Sequence, residues 1–340
     1  MAHYEVDIDL ANQAKKEMAA ILDTDNRQLL NGVGAFSSLY HLDLSGYQDP
    51  VLVLKTEEPG SKQLLAMQYD RIEGVCHDMI NHLVNDCVVM GAKPLTVQDA
   101  IICGKLDKQI ITRIVKALSS ACKENHCILT GGETSEQPGV LGEKTYILTS
   151  SIVGIVDRRD IIDGSAIREG DIVLSLGSNG IHTNGYTLVR ALLQAHPELM
   201  EKEVDGQPLL DAVLKPHRAY YPLLEGLFPQ HILHGLAHIT GGGIRENLNR
   251  ILPQSLDAEI DLSSYSVPAI FKILRDAGGL SDAEMLRTFN LGVGIAAVVA
   301  PEDVEPVVEH CKQHGVPCVP IGHITSGNQT VRLKNQLSWD

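Results

Sequence analysis

The chain has 340 residues, enough for two domains of ordinary size, each with its own core. Hydrophobic residues make up 44% and no long low-complexity segment occurs, which excludes a disordered chain. Lys and Arg total 28 against 43 Asp and Glu, and the net charge of −15 argues against nucleic acid or an anionic membrane as partner. An acidic protein that handles phosphates must use local devices: glycine-loop amides, helix N-termini and divalent cations. No apolar run approaches the roughly 18–20 residues that cross a bilayer. The opening "MAHYEVDIDL" lacks the basic-then-apolar layout of a signal peptide. Seven cysteines without CxxC spacing fit reduced thiols, so the expected location is the cytoplasm.

In chain order, strands are predicted at 51–55, 94–101, 126–130 and 145–156, with helices at 71–90 and 107–124. The second helix has Asp107 as N-cap and apolar residues at 110, 111, 114, 115, 118, 121 and 122, a helical period. The polar stretch 157–171, "DRRDIIDGSAIREGD", reads as a joint between two α/β halves. Beyond it come a strand at 172–176, a helix at about 185–195, and strands near 257–261, 294–300 and 318–323. A last helix starts with Pro301 at or near its first position and stops at Gly315. The first half reads as long and β-rich, which argues against a simple Rossmann sheet.

Several stretches carry possible chemistry. "KTEEPGSK" (55–62) follows an apolar strand with two acids, a Pro-Gly turn, a hydroxyl and a lysine. These are the parts that hold a metal-bound polyphosphate, and equally those of a surface turn. "NGVGAFSSLY" (31–40) is a weak glycine signal, compatible with an ordinary turn. "TGGETSEQPG" (130–139) has paired glycines that let backbone approach a ligand, with Glu133 beside them. "LGSNGIHTNGY" (176–186) joins a strand to a helix and suits an anion or a capped turn, with Ser178, His182 and Asn184 in reach. "AHITGGGIREN" (237–247) has three consecutive glycines, whose entropy cost favours a ligand pocket. On the helix at 71–90, Asp78, His82 and Asn85 share one face with Asp86 adjacent. That face is either solvated or, with Glu57 and Glu133, a source of oxygen ligands for Mg²⁺. His82 is read as a packing or hydrogen-bonding group, and no HExxH zinc motif occurs.

These pieces in this order resemble the phosphoribosylformylglycinamidine cyclo-ligases, or aminoimidazole ribonucleotide synthetases, from about residue 4 to about 325. The specific ones are "VNDCVVMGAKPL" (84–95), "GKLD" (104–107), "GGETSEQPG" (131–139), "IIDGSAIREGD" (161–171), "GIHTNGYTLVR" (180–190), "HITGGGIREN" (238–247) and "MLRTFNLGVG" (285–294). The resemblance implies a two-domain α/β (α+β) fold. Residues 1–165 would form an ATP-binding, mixed-sheet domain whose sheets pair across a homodimer into a barrel-like core, and residues 166–340 a C-terminal α/β domain. It implies ATP and Mg²⁺ as cofactors and formylglycinamidine ribonucleotide as substrate. The amide oxygen is phosphorylated, a nitrogen attacks that carbon, phosphate leaves and the imidazole ring closes.

Carried onto this sequence, the resemblance implies His182, His238, Asp86 and Glu133 as catalytic. It implies Gly32, Gly34, Glu57, Gly60, Ser61, Lys62, Asn85, Gly131 and Gly132 for the nucleotide. Ser178, Asn184, Gly185, Thr240, Gly241 and Gly242 would hold the substrate, and Glu57, Asp78 and Asp86 the metal. The family usually reads T-D-G-V-G-T-K where this chain has Thr56-Glu57-Glu58-Pro59-Gly60-Ser61-Lys62. Glu57 keeps the charge with an added methylene, and Pro59 removes one N–H donor. Ala35 and Ser37 stand where glycines are common, and Lys15 and Lys16 are displaced from the expected register. A paralogue of the same fold, acting on another phosphoryl acceptor or as a non-catalytic partner, is the alternative.

Overall fold

The computed structural model describes residues 21–22, 26–32 and 34–339; Lys15 and Lys16 lie outside them. The first half builds a four-stranded mixed sheet from β1 (Pro50–Glu57), β2 (Lys93–Cys103), β3 (Ile128–Glu136) and β4 (Tyr146–Asp157), in the order β1-β4-β2-β3. Only β2 and β3 run parallel, because α3 (Lys108–Glu124) carries the crossover between them, while the other pairs are antiparallel. Asp107 caps α3 by accepting the amides of Gln109 and Ile110, as its position predicts. The α3 positions 111, 114, 115, 118, 121 and 122 are all buried.

Between β1 and β2 lie α1 (Lys62–Gln68) and α2 (Ile72–Val88). Burial resolves the open reading of α2. Asp78 and Asn85 have no exposed surface and His82 keeps 8%, so this polar stripe is not a solvated face. It packs against residues 215–220 of the second half, whose backbone it holds by hydrogen bonds.

The second half is a six-stranded sheet in the order β12-β9-β11-β5-β10-β8. Its strands are β5 (Ile172–Gly177), β8 (Leu233–His238), β9 (Leu256–Asp261), β10 (Val293–Val299), β11 (Cys318–Ser326) and β12 (Val331–Lys334). A small hairpin, β6 (Glu203–Val204) with β7 (Gln207–Pro208), lies apart. Only the β12–β9 pair is parallel. The larger sheet is therefore here, not in the half read as β-rich. Every residue of β10 is buried, as its continuous apolar run requires. Around the sheet pack α4 (Tyr186–Ala195), α5 (Gly243–Asn249), α6 (Ala269–Gly278), α7 (Asp282–Thr288) and α8 (Val304–Gln313). Pro301 opens a 3₁₀ turn leading into α8, and Gly315 ends it at φ +67°.

The sequence reading left out α1, the β6–β7 hairpin, β8, β12, α5, α6 and α7. His234 and Gly235 interrupt the apolar run of β8, which weakens its strand signal. The mixed α/β class and the two sheets agree with the expected architecture.

Candidate functional site

The end of β1, the C-terminal half of α2, and the end of β8 with its following loop enclose a cavity of about 560 Å³ between the two halves. Of the residues singled out in the sequence, Glu57, Asp86, Asn184, His238, Thr240 and Gly241 line it. The reading of that stretch missed Lys55, Asp163, Asn247 and Arg250, which also line it, and gave His82 no site role.

Charge in the cavity is organised around Asp86. Its Oδ1 accepts from His238 Nδ1 at 2.7 Å, and its Oδ2 lies 2.9 Å from Lys55 Nζ. Lys55 also reaches Glu57 Oε2 at 3.0 Å. Burial by itself raises the Asp86 pKa, but the hydrogen bonds from His238 and Lys55 hold it well below the usual carboxylate range. Glu57 and Asp86 thus form a pair of carboxylates sharing one lysine. Two carboxylates facing a cavity fit Mg²⁺, which takes one or two protein carboxylates and completes its shell with water and phosphate oxygens.

His82 and His238 on the cavity wall cluster with His182 and His217, which do not line it. The His182 and His217 rings stack at 3.8 Å, and His217 Nε2 lies 3.0 Å from His238 Nε2. Thr183 Oγ1 sits 3.0 Å from His82 Nδ1. His182 is held at φ +66°, a conformation that costs a non-glycine residue of order 1–3 kcal/mol and is kept by its surroundings. His182 and His238 are both buried, at 1% and 6% exposed. His217, in "KPHRAYY", gave no signal because nothing in the sequence near it marks a site.

Several expected ligands are placed elsewhere. Lys62 does not face a phosphate. It is wholly buried, with Nζ 2.7 Å from Asp78 Oδ2 and donating to the carbonyls of His182 (3.0 Å) and Lys215 (2.8 Å). Asp78 is correspondingly not a metal ligand here; it takes Lys62 and the His217 amide at 2.7 Å. Burial outweighs the attraction within this pair, pushing Asp78 up to about 6 and Lys62 down. Asn85 spends both ends of its amide on backbone, donating to the Arg218 carbonyl and accepting from the Tyr220 amide. Neither is left for a nucleotide. Gly60 and Ser61 lie in the turn before α1, next to the Thr183 carbonyl rather than in the cavity wall.

The nucleotide glycines also fall away from the cavity. Gly32 and Gly34 are exposed, in a loop tied to β3 by Ser38 Oγ donating to the Thr130 carbonyl at 2.7 Å. Gly132 is demanded by packing, because a Cβ there would collide with the Asp99 carbonyl of β2. Glu133 is exposed on edge strand β3. The register runs Glu57, Ser150, Asp99, Gly132 across the sheet, so Gly131–Glu133 stand three strands from Glu57, roughly 14 Å at about 4.8 Å per strand. Within one chain Glu133 does not join Glu57 and Asp86. Ser178 donates to Asn290 Oδ1 and so braces the loop. Gly185 starts α4 at φ +83° against the Phe289 ring, which leaves no room for a side chain. Gly242 begins α5 at φ +92°, beside the cavity-lining Gly241.

Residues 42–156 match the model for the AIR synthase related protein N-terminal domain, and residues 168–334 that for its C-terminal domain. The phosphoribosylformylglycinamidine cyclo-ligase of Desulfitobacterium hafniense (strain DSM 10664 / DCB-2) is 40% identical over 329 residues, 96% of each chain. That of Bacillus mycoides (strain KBAB4) is 39% identical over 328 residues, 95% of this chain and 94% of that one. Solved structures share the fold at low identity. Thiamine-monophosphate kinase from Stenotrophomonas maltophilia K279a superposes with a TM-score of 0.66 at 16% identity, covering 99% of this chain and 98% of that one. HypE from E. coli gives 0.68 at 17%, covering 96% and 94%. With both domain models matched in order and close relatives spanning nearly its whole length, the chain belongs to the phosphoribosylformylglycinamidine cyclo-ligase family of AIR synthase related proteins.

Proposed function

We propose that the chain closes the imidazole ring of 5-aminoimidazole ribonucleotide from formylglycinamidine ribonucleotide in purine biosynthesis, using ATP. The observation that carries this is the conjunction of cyclo-ligase relatives at 40% identity with a cavity between the two halves lined by Glu57, Asp86 and His238. A structural neighbour, the hydrogenase maturation protein HypE, is described in complex with ATP, which supports nucleotide use by this fold.

An amide oxygen is a poor leaving group. Transfer of the γ-phosphoryl group to it makes the oxygen leave as phosphate when the nitrogen attacks the same carbon. The chain's task is to hold two anionic ligands in line and exclude water. Bound Mg²⁺ would neutralise the transferring phosphoryl group, and Glu57 and Asp86 are the residues that would hold it. Lys55, now shared by those two acids, is placed to pair with phosphate oxygens once a metal takes its position. Thr240, Gly241 and Asn184 offer amide and hydroxyl donors in the same cavity for the substrate's own phosphate. Attack by nitrogen releases one proton, and the hydrogen-bonded His238–Asp86 pair on the cavity wall is the acceptor we assign to it.

The division into residues 1–165 and 166–340, a homodimer and a cytoplasmic location complete the reading. Two observations support the dimer. One face of the first sheet leaves Leu52 and Leu54 of edge strand β1 at 50% and 69% exposed. Glu133 and the glycines beside it, remote from the cavity within one chain, lie on the same sheet. No helix among the described residues is long and apolar enough to cross a membrane. The test is phosphate release from ATP with and without formylglycinamidine ribonucleotide. Release that depends on this substrate, with an aminoimidazole product, supports the reading. Release with another acceptor alone, or none, defeats it.

A further inference from the structure

On β1, Lys55 and Glu57 stand two residues apart, so both side chains leave the strand on the face turned to the cavity. We infer that Lys55 is a resident counter-ion: its ammonium holds the place of a divalent cation between Glu57 and Asp86 and must be displaced before a metal enters. This rests on the nucleotide-using reading of the same site and adds an order of loading to it. Metal arrives with a polyphosphate rather than before it.

The carboxylate oxygens are already committed. Asp86 Oδ1 accepts from His238 Nδ1 at 2.7 Å, which leaves Oδ2 as its oxygen for a cation, and Lys55 Nζ lies 2.9 Å from that oxygen. The same Nζ is 3.0 Å from Glu57 Oε2. His82 Nε2, 3.9 Å from Asp86 Oδ2, is too far to hydrogen-bond it. An ion on Asp86 Oδ2 at about 2.0–2.1 Å would lie within about 5 Å of an unmoved Nζ. A divalent and a monovalent cation at that spacing repel strongly in a cleft where both acids are only 21% exposed. The two therefore exclude each other.

Displacement asks little of the fold. Lys55 stands on edge strand β1 with its side chain 37% exposed, and its flexible four-carbon stem lets the ammonium swing while the strand stays in place. Lys55 and Arg250 are the permanent cations lining the cavity. Once released, Nζ gains a new partner only where an anion is bound. Polyphosphate oxygens supply one, and a bare metal ion does not. Metal and polyphosphate each favour the displaced lysine, so each tightens the other, and the coupling is reciprocal.

The experiment measures Mn²⁺ binding to the full-length, nucleotide-free chain, with free Mn²⁺ read by electron paramagnetic resonance. Wild type is compared with Lys55→Met, Lys55→Arg and the double variant Lys55→Met with Glu57→Gln. Lys55→Met should bind Mn²⁺ at least about 10-fold more tightly than wild type, because the competing charge is gone. Lys55→Arg keeps the charge and should stay as weak as wild type, and the double variant should lose the gain. A second titration follows the non-hydrolysable ATP analogue AMPPNP at saturating Mg²⁺, where Lys55→Met should bind about 10-fold more weakly. Opposite signs for metal and nucleotide are what a merely structural lysine would not produce. Equal Mn²⁺ affinity in wild type and Lys55→Met overturns the inference, as does a gain that survives Glu57→Gln. A wild-type chain that binds no AMPPNP defeats the cyclo-ligase reading instead, while the nucleotide-free Mn²⁺ comparison still judges Lys55 by itself.

Discussion

Replacing Lys62 with methionine separates a structural from a nucleotide role for the "KTEEPGSK" lysine. In the fold Nζ makes contacts of 2.7–3.0 Å with Asp78 and the carbonyls of His182 and Lys215, all away from solvent. Methionine fills the same volume but leaves the Asp78 carboxylate buried with the His217 amide as its remaining donor. Removing one partner of a buried pair costs about 3–5 kcal/mol, because an uncompensated charge stays inside. Adding Asp78→Asn removes that charge and keeps an acceptor for the His217 amide. The double variant then owes chiefly the two orphaned carbonyls, up to about 1–3 kcal/mol each, less where the amide reaches one. Lys62→Met alone should therefore be destabilised by about 3–5 kcal/mol, with part of the loss recovered in the double variant as a coupling of about 2 kcal/mol. Urea unfolding at fixed protein concentration measures both, and ATP turnover on the same samples gives KM. A Lys62→Met chain within 1 kcal/mol of wild type but with KM for ATP raised about 10-fold would refute the reasoning and return Lys62 to the phosphates.

Glu57→Gln should lower turnover at least about 10-fold, partly relieved by high Mg²⁺, while exposed Glu58→Gln stays within about 2-fold; steady-state ATP turnover compares them. In the metal-free chain, burial and the neighbouring His238 lower the His82 pKa to about 4 against an unfolded value of 6.5, with Asp86, Glu57 and Lys55 also facing the ring. The unfolded chain binds the extra proton, so stability is complete above pH 6.5 and falls toward pH 4. His82 alone contributes about 1.4 kcal/mol per pH unit, about 3 kcal/mol in all, and His182 and His217 steepen the fall; denaturant midpoints across this range test the sign. If the proposed dimer forms through β1, wild type should scatter as a dimer and Leu52→Lys with Leu54→Lys as a 37.0 kDa monomer; a wild-type monomer defeats the dimer, and a dimeric variant defeats this interface.

Local patterns settled much of this protein by themselves. The period of α3 and its Asp107 cap, the apolar runs of β1, β5 and β10, and the Pro301 and Gly315 punctuation of α8 are near-neighbour effects, and a linear sequence carries them. Motif order identified the family. What the sequence left open was the partner of each polar side chain. Asp78, Asn85 and Lys62 look like ligands in one dimension, because metal sites and buried ion pairs use the same residue types. Only packing of α2 on residues 215–220 commits them to backbone and to each other. The same long-range contact brings His217 within 3.0 Å of His238, 21 residues along the chain and on another element. Conversely, Glu133 and its glycines seemed to belong with Glu57 until the strand order β1-β4-β2-β3 put two strands between them. Strand order and domain packing are set by burial of whole faces, and no local stretch of residues records that sum.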